Sequence, residues 1–131
     1  MTLTAYVDTN VLLRYCLNDL PEHTPAATRI VNEADELRLL PTILLEVGHV
    51  LRSNYGFSRS CIAETLLRIL ALPAIVGEVD AMAQAVRLHI ERSIDLEDAW
   101  LAVTARSSNA PRVASFDRDF DRIAGLERVS S

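Results

Sequence analysis

The sequence contains no lysine, since all 13 basic residues among its 131 are arginine. Lysine-based catalysis is therefore excluded, whereas arginine can bind phosphate through two parallel hydrogen bonds. Aromatic residues are scarce at 5%, which leaves little material for stacking nucleic-acid bases. The net charge of −5 argues against a simple nucleic-acid coat. It does not argue against an enzyme whose metal ions neutralise an acidic centre.

Cysteine is also rare. Cys16 and Cys61 form no close pair and no CxxC motif, which argues against a zinc site. We expect reduced thiols in a cytoplasmic protein. The N-terminus has no basic stretch followed by an apolar core, and no apolar run reaches the length of a membrane span. At this length, with half of its residues hydrophobic, the chain should form one globular domain over residues 1–131.

The first short segment organises the predicted fold. Ala5–Val7 has the composition of a buried strand, and Asp8–Asn10 consists of residue types that cap helices. The apolar residues Val11–Leu13 follow and are suited to a helix packed on a sheet. Asp8 would then leave the carboxyl end of a strand, where open α/β sheets bind their ligands.

The rest of the chain alternates in the same way. Helices are predicted at 9–17, from Thr24, from Pro41, after Ser58, at 80–92 and at 96–106, the last of them apolar nearly all round. A break is predicted at 18–21, and short strands at 37–40, within 72–77, at 112–116 and within 125–129. This alternation favours a parallel sheet with right-handed crossovers.

Four carboxylates stand at predicted strand ends or beside apolar residues of predicted helices. Asp8 and Asp117 each follow a predicted strand, Glu46 borders the apolar stripe of its helix, and Asp98 aligns with apolar residues of the 96–106 helix. Carboxylates brought close together repel each other unless a cation lies between them. Mg²⁺ prefers oxygen ligands, and a metal-bound water can attack a phosphodiester. The acids therefore indicate a metal-dependent nuclease.

The same segments resemble a known family. Asp-Thr-Asn followed by Val-Leu-Leu-Arg, Glu46 within 44–47, Asp98 within 98–102 and the segment Ser115–Phe120 are similar to the motifs of PIN domains. More narrowly, they resemble the toxin ribonucleases of bacterial VapBC toxin–antitoxin pairs. The family often has Thr where Ser115 stands, and Ser keeps the hydroxyl.

The resemblance implies a three-layer α/β/α fold with a central, mainly parallel sheet of four or five short strands. It implies RNA cleavage with Mg²⁺ or Mn²⁺, a cognate antitoxin and a homodimer. The resemblance implies four catalytic acids, Asp8, Glu46, Asp98 and Asp117. Three of them, Asp8, Asp98 and Asp117, are the implied metal ligands. The implied accessory residues are Asn10, Ser115 and Asp119.

Structural alternatives remain open for each of these residues. Asp8, Asn10 and Asp117 could cap helices, Glu46 could border the core, and Asp98 could interact with a helix dipole. The candidates for RNA contact are Arg14, Arg112 and Arg118, with Arg122 beside them. Their alternatives are solvation for Arg14 and local ion pairs for the other three.

Three other functions compete with the nuclease. A noncatalytic PIN-like binding module would share the fold, although the complete acidic set argues against it. A receiver-type phosphoacceptor domain relies on a lysine that this chain lacks. A hydrolase of the haloacid dehalogenase type also needs that lysine, and a second aspartate where Asn10 stands.

Overall fold

The computed structural model describes residues 2–17 and 21–131. Within these ranges the chain forms six α-helices, one 3₁₀ helix and five short strands. It divides into two compact units, Met1–Val79 and Asp80–Ser131. Of the helix break predicted at 18–21, residues 18–20 lie outside the described residues.

The first unit contains a three-stranded parallel sheet and four helices. The strands are β1 (Thr4–Tyr6), β2 (Glu36–Arg38) and β3 (Ile75–Val76), in the order β1-β2-β3. The helices are α1 (Thr9–Leu17), α2 (Thr24–Glu33), α3 (Pro41–Ser53) and α4 (Arg59–Leu70). Two helices lie between each pair of consecutive strands, which gives the chain room to return for a parallel strand.

Residues at the helix starts explain where these helices begin. Proline occupies the first turn of α2 and of α3, where its fixed φ angle suits a helix and its missing N–H costs nothing. The Ser58 hydroxyl accepts a hydrogen bond from the Cys61 amide at 3.2 Å and so caps α4. The predicted starts of these three helices are confirmed.

The edge strand β1 differs from its prediction. The segment was expected to be buried, but Tyr6 is 68% exposed, whereas Val7 is buried. Successive side chains of a strand point to opposite faces, so Thr4 and Tyr6 share an exposed face while Ala5 and Val7 point inward. The strand is therefore half-buried, because only one of its faces packs on apolar residues.

The second unit contains two helices and a pair of parallel strands. Its elements are α5 (Val79–Arg92, which starts at the last residue of the first unit), α6 (Leu96–Arg106), β4 (Arg112–Ala114), a 3₁₀ helix (Arg118–Arg122) and β5 (Glu127–Val129). Its core consists of Ala85, Leu88, Ile94, Ala99, Ala102, Val103, Val113, Phe120 and Ile123. A ring nitrogen of buried His89 (Nδ1) is hydrogen bonded to the Ile94 carbonyl and ties the end of α5 to the start of α6.

The helix α6, predicted to be apolar nearly all round, exposes one of its apolar side chains, because Leu101 is 47% exposed. The buried residues of α6 include Ala99, Ala102 and Val103, which form one stripe along the helix.

The predicted α/β class with parallel strands is confirmed, and the five strands pair in a three-stranded and a two-stranded parallel sheet. The prediction of a single domain stays a prediction. No helix in the described part of the chain combines the length and apolar character that a membrane crossing requires.

Candidate active site

Asp8, Asn10 and Glu46 line one open cleft of about 840 Å³ in the first unit. Asp8 lies two residues after the end of β1 and directly before α1, and its carbonyl accepts a hydrogen bond from the Leu12 amide at 3.4 Å. Glu46 projects from the middle of α3. All three polar side chains are exposed. The fold thus presents two carboxylates and an amide to one solvent-filled space.

The same cleft has a basic and an apolar part. Arg14 lies in the last turn of α1, and its Nη2 donates a hydrogen bond to the Tyr55 hydroxyl at 3.1 Å. The remaining lining residues are Thr9, Val11, Leu13, His23, Ala26, Ala27, Ile30, Val50 and Asn54. The structure therefore places the predicted RNA-binding residue Arg14 in the cleft that Asp8 and Glu46 line.

In the second unit, Asp98 lies in the first turn of α6 among other acids. Partial burial raises the pKa of Asp98, and the charges of Asp95, Asp117, Glu97 and Asp119 raise it further. Each neighbouring charge acts because it disfavours a second negative charge nearby. A cation at this position would relieve the same repulsion.

Asp117 is held in a turn by side-chain hydrogen bonds. Its amide donates to the Ser115 hydroxyl at 2.9 Å, and its Oδ1 accepts from the Asp119 amide at 2.9 Å. β4 ends at Ala114, two residues earlier than predicted. These bonds explain the difference, because local side-chain bonds to the backbone compete with a strand ladder. Phe116, predicted to lie in the strand, is 89% exposed.

The arginines near β4 form ion pairs. Arg112 lies 3.4 Å from Glu127, and Arg122 lies 2.9 Å from Asp119. These contacts match the ion-pair alternative that the sequence left open. Arg118 is exposed on the 3₁₀ helix. Contact between RNA and Arg112 or Arg118 stays a prediction.

Sequence reasoning missed two residues beside these groups. Tyr55 lines the Asp8 cleft. The sequence feature that could have indicated this is a single tyrosine at the end of the helix that carries Glu46. Arg128 donates to the Ser115 carbonyl at 3.1 Å and binds Asp121. A basic residue in the last strand gives no sequence signal for either contact.

Carboxylate oxygens are the ligands that Mg²⁺ and Mn²⁺ prefer, so the donor types in both units suit such an ion. The repulsion around Asp98 suits one as well. Within residues 2–17 and 21–131, no three His, Cys, Asp or Glu side chains are grouped closely enough to hold a metal ion. The ligand set Asp8, Asp98 and Asp117 stays a prediction.

The sequence model of the PIN domain matches residues 5–126 and so includes all four predicted acids. The comparison with curated proteins gives no match. Because the matched segment covers nearly the whole chain, this protein belongs to the PIN domain family.

Proposed function

We propose that this chain is an endoribonuclease that hydrolyses RNA phosphodiester bonds with a divalent metal ion, Mg²⁺ or Mn²⁺. PIN domains are generally metal-dependent nucleases, which supports a hydrolase. The observation that carries the proposal is the cleft of the first unit, where Asp8, Asn10 and Glu46 face the same solvent-filled space.

In this proposal Asp8, Asp98 and Asp117 are the residues that would hold the ion. When bound, a divalent ion makes water more acidic and offsets negative charge on the phosphate. Glu46, an exposed carboxylate in the middle of α3, would accept a proton from the attacking water. Asn10 orients the water or the phosphate by hydrogen bonds.

Ser115 and Asp119 act on Asp117 and not on the substrate. The Ser115 hydroxyl holds the Asp117 amide, and the Asp119 amide binds the Asp117 carboxylate. The first bond holds the backbone of Asp117, and the second restricts the orientation of its side chain. Such support is what a metal-binding carboxylate requires to keep its geometry.

The test is cleavage of a structured RNA by the purified protein over a series of Mg²⁺ and Mn²⁺ concentrations, with and without chelator. We expect discrete cuts that require the metal and disappear in Asp8→Asn. Glu33→Gln is the matched control, because Glu33 is an exposed acid at the end of α2 outside the cleft. Cleavage that continues in chelator, or at the wild-type rate in Asp8→Asn, contradicts the proposal.

We further propose that the enzyme is the toxin of a type II toxin–antitoxin pair and acts in the cytoplasm as a homodimer. The net charge of −5 favours a basic partner, and the apolar part of the cleft offers that partner a surface to bury. Expression of the chain alone should arrest growth, and coexpression of the neighbouring gene should restore it. Arrest by Asp8→Asn as strong as by the wild type would contradict a toxin that acts by catalysis.

A further inference from the structure

Tyr55 places an aromatic ring on the wall of the Asp8 cleft. It lies two residues after the end of α3, and 39% of the residue is exposed. The backbone around it is fixed, because the Gly56 amide donates to the Arg52 carbonyl at 3.1 Å and the Phe57 amide to the Leu51 carbonyl at 3.0 Å. The ring is thus presented to the cleft from a stable turn.

The hydrogen bond between Arg14 and Tyr55 joins two walls of this cleft. Arg14 comes from the last turn of α1, whereas Tyr55 follows α3, and the donor and acceptor atoms are 3.1 Å apart. The bond orients the guanidinium and the phenol ring with respect to each other. A guanidinium has five N–H donors in a planar fork that matches a phosphate, and a phenol ring offers a face on which any base can stack.

We infer that Arg14 and Tyr55 form a nucleotide-binding subsite for single-stranded RNA. Tyr55 stacks on one base, and Arg14 binds a backbone phosphate beside it. This inference rests on the proposed ribonuclease function, because it places the strand in the cleft that holds Asp8 and Glu46. The two residues are positioning residues: they hold the strand and do not take part in bond cleavage.

A nucleic-acid strand matches the charges of the cleft at two separate points. Its phosphates need a cation, which Arg14 supplies beside the ring. Its reacting phosphate needs an ion, for which Asp8 and Glu46 supply carboxylate oxygens. A stack on Tyr55 would hold the strand without reading its sequence, because every base has a π face.

The test is binding of a short single-stranded oligoribonucleotide carrying 2-aminopurine, measured with the wild-type chain and its variants in chelator. Tyr55→Leu should weaken binding roughly 10-fold and abolish the quenching of 2-aminopurine fluorescence that stacking causes. Tyr55→Phe should keep the quenching, because it retains the ring and loses only the hydroxyl.

Salt dependence separates the two roles. Arg14→Gln should reduce the slope of log Kd against log salt concentration by about 0.7, the value for one phosphate contact on a single strand. Tyr55→Leu should leave that slope unchanged. Tyr15→Leu and Arg29→Gln are the matched controls, because both residues belong to the first unit and line other grooves. Thermal unfolding of every variant checks its fold.

The results distinguish this subsite from the proposed enzyme. If Tyr55→Leu binds the RNA and quenches its fluorescence like the wild type, while the wild type still cleaves RNA with metal, the proposed subsite is wrong and the proposed enzyme activity stands. Dependence of RNA binding on Tyr55 without any metal-dependent cleavage upholds the subsite and contradicts the enzyme. Loss of binding to a protein partner in Tyr55→Leu, with RNA binding unchanged, overturns the subsite and assigns the ring to that partner.

Discussion

Arg128 binds both carboxylate oxygens of Asp121, with Nε 2.9 Å from Oδ1 and Nη2 3.2 Å from Oδ2. Its third nitrogen, Nη1, donates to the Ser115 carbonyl at 3.1 Å. One side chain of β5 therefore fastens the 3₁₀ helix to the turn that begins with Ser115 and contains Asp117. Arg can do this and Lys cannot, because only a guanidinium presents such a fork.

Arg128→Met should return the pKa of Asp121 toward its ordinary value. In the wild type, the Arg128 hydrogen bond lowers the pKa of Asp121, and the charges of Arg128 and Arg118 lower it further. The stabilisation that comes from the lowered pKa of Asp121 is fully present above the pKa of its unfolded state. It is lost as the pH falls through the pKa of its folded state. The variant should therefore lose less stability than the wild type on acidification.

Titration of the Asp121 carboxyl by NMR measures this shift directly. Arg112→Met serves as the control, since Arg112 pairs with Glu127 and not with Asp121. If Asp121 titrates at the same pH in the wild type and in Arg128→Met, the bidentate contact does not exist in solution.

Asp98→Asn should stabilise the metal-free protein at neutral pH. The raised pKa of Asp98 arises from burial and from neighbouring carboxylates. Between the pKa of the unfolded state and the higher pKa of the folded state, Asp98 is therefore protonated in the folded protein and ionised in the unfolded chain. Stability then falls as pH rises through that range. We expect a gain of at most about 1 kcal/mol, because the carboxylate is partly screened by solvent.

Urea unfolding in chelator over a series of pH values measures that gain. It should vanish in acid, where the wild-type Asp98 is protonated as well. Asp80→Asn is the control, since Asp80 lies in the first turn of α5 and is exposed. A gain that stays constant down to acidic pH would show that repulsion at Asp98 is not its cause.

Gly77→Ala should destabilise the first unit by about 1–3 kcal/mol. Gly77 has φ +134°, and a Cβ there would lie 2.8 Å from the Leu39 carbonyl oxygen. Next to that contact, the Leu39 amide donates a hydrogen bond to the Val76 carbonyl, and this hydrogen bond joins β2 to β3. Urea unfolding gives the free energy of each variant.

Gly56→Ala is the matched control for this glycine. Gly56 has φ +65°, but no heavy atom lies within 4 Å of an added Cβ. The variant should lose only about 1 kcal/mol, from backbone strain alone. Equal losses in the two variants would show that the close approach to Leu39 carries no cost.

Ser115→Ala should reduce kcat roughly 10-fold, as loss of a group that supports a ligand does, while KM changes little. The hydroxyl accepts from the Asp117 amide and so orients a proposed metal ligand. Ser115→Thr should restore the rate, because it keeps the oxygen. Steady-state cleavage assays measure both constants.

The control for Ser115 is Ser108→Ala, which removes a comparable loop hydroxyl that accepts from the Ala110 amide. A positioning role predicts rescue by Thr and no effect at Ser108. An equal loss of rate in Ser115→Thr and Ser115→Ala would mean that the hydroxyl bond to Asp117 is not what matters.

The sequence predicts the starts of the helices well, because local chemistry determines them. Pro41 and Ser58 act on their own neighbours, and α1 follows directly from Asp8. The class of the fold follows from the alternation of helices and strands. The cleft brings Asp8 and Glu46 to one space, whereas the joint site of all four acids stays a prediction.

Contacts between distant positions are not visible in the sequence. Arg14 and Tyr55 are 41 positions apart, and no periodicity relates a residue of one helix to the turn after another. The exposure of Tyr6 depends on which face of its sheet is covered. The short length of β4 depends on bonds that Ser115 and Asp117 form only once the turn has closed.

Single-turnover RNA cleavage at saturating Mg²⁺ tests the central proposal most directly, with variants of each acid: Asp8→Asn, Glu46→Gln, Asp98→Asn and Asp117→Asn. The account predicts that each folded variant loses at least about 100-fold in rate, while Glu33→Gln and Asp80→Asn cleave like the wild type. Wild-type rates in Asp8→Asn or Glu46→Gln, with the fold intact, would contradict it.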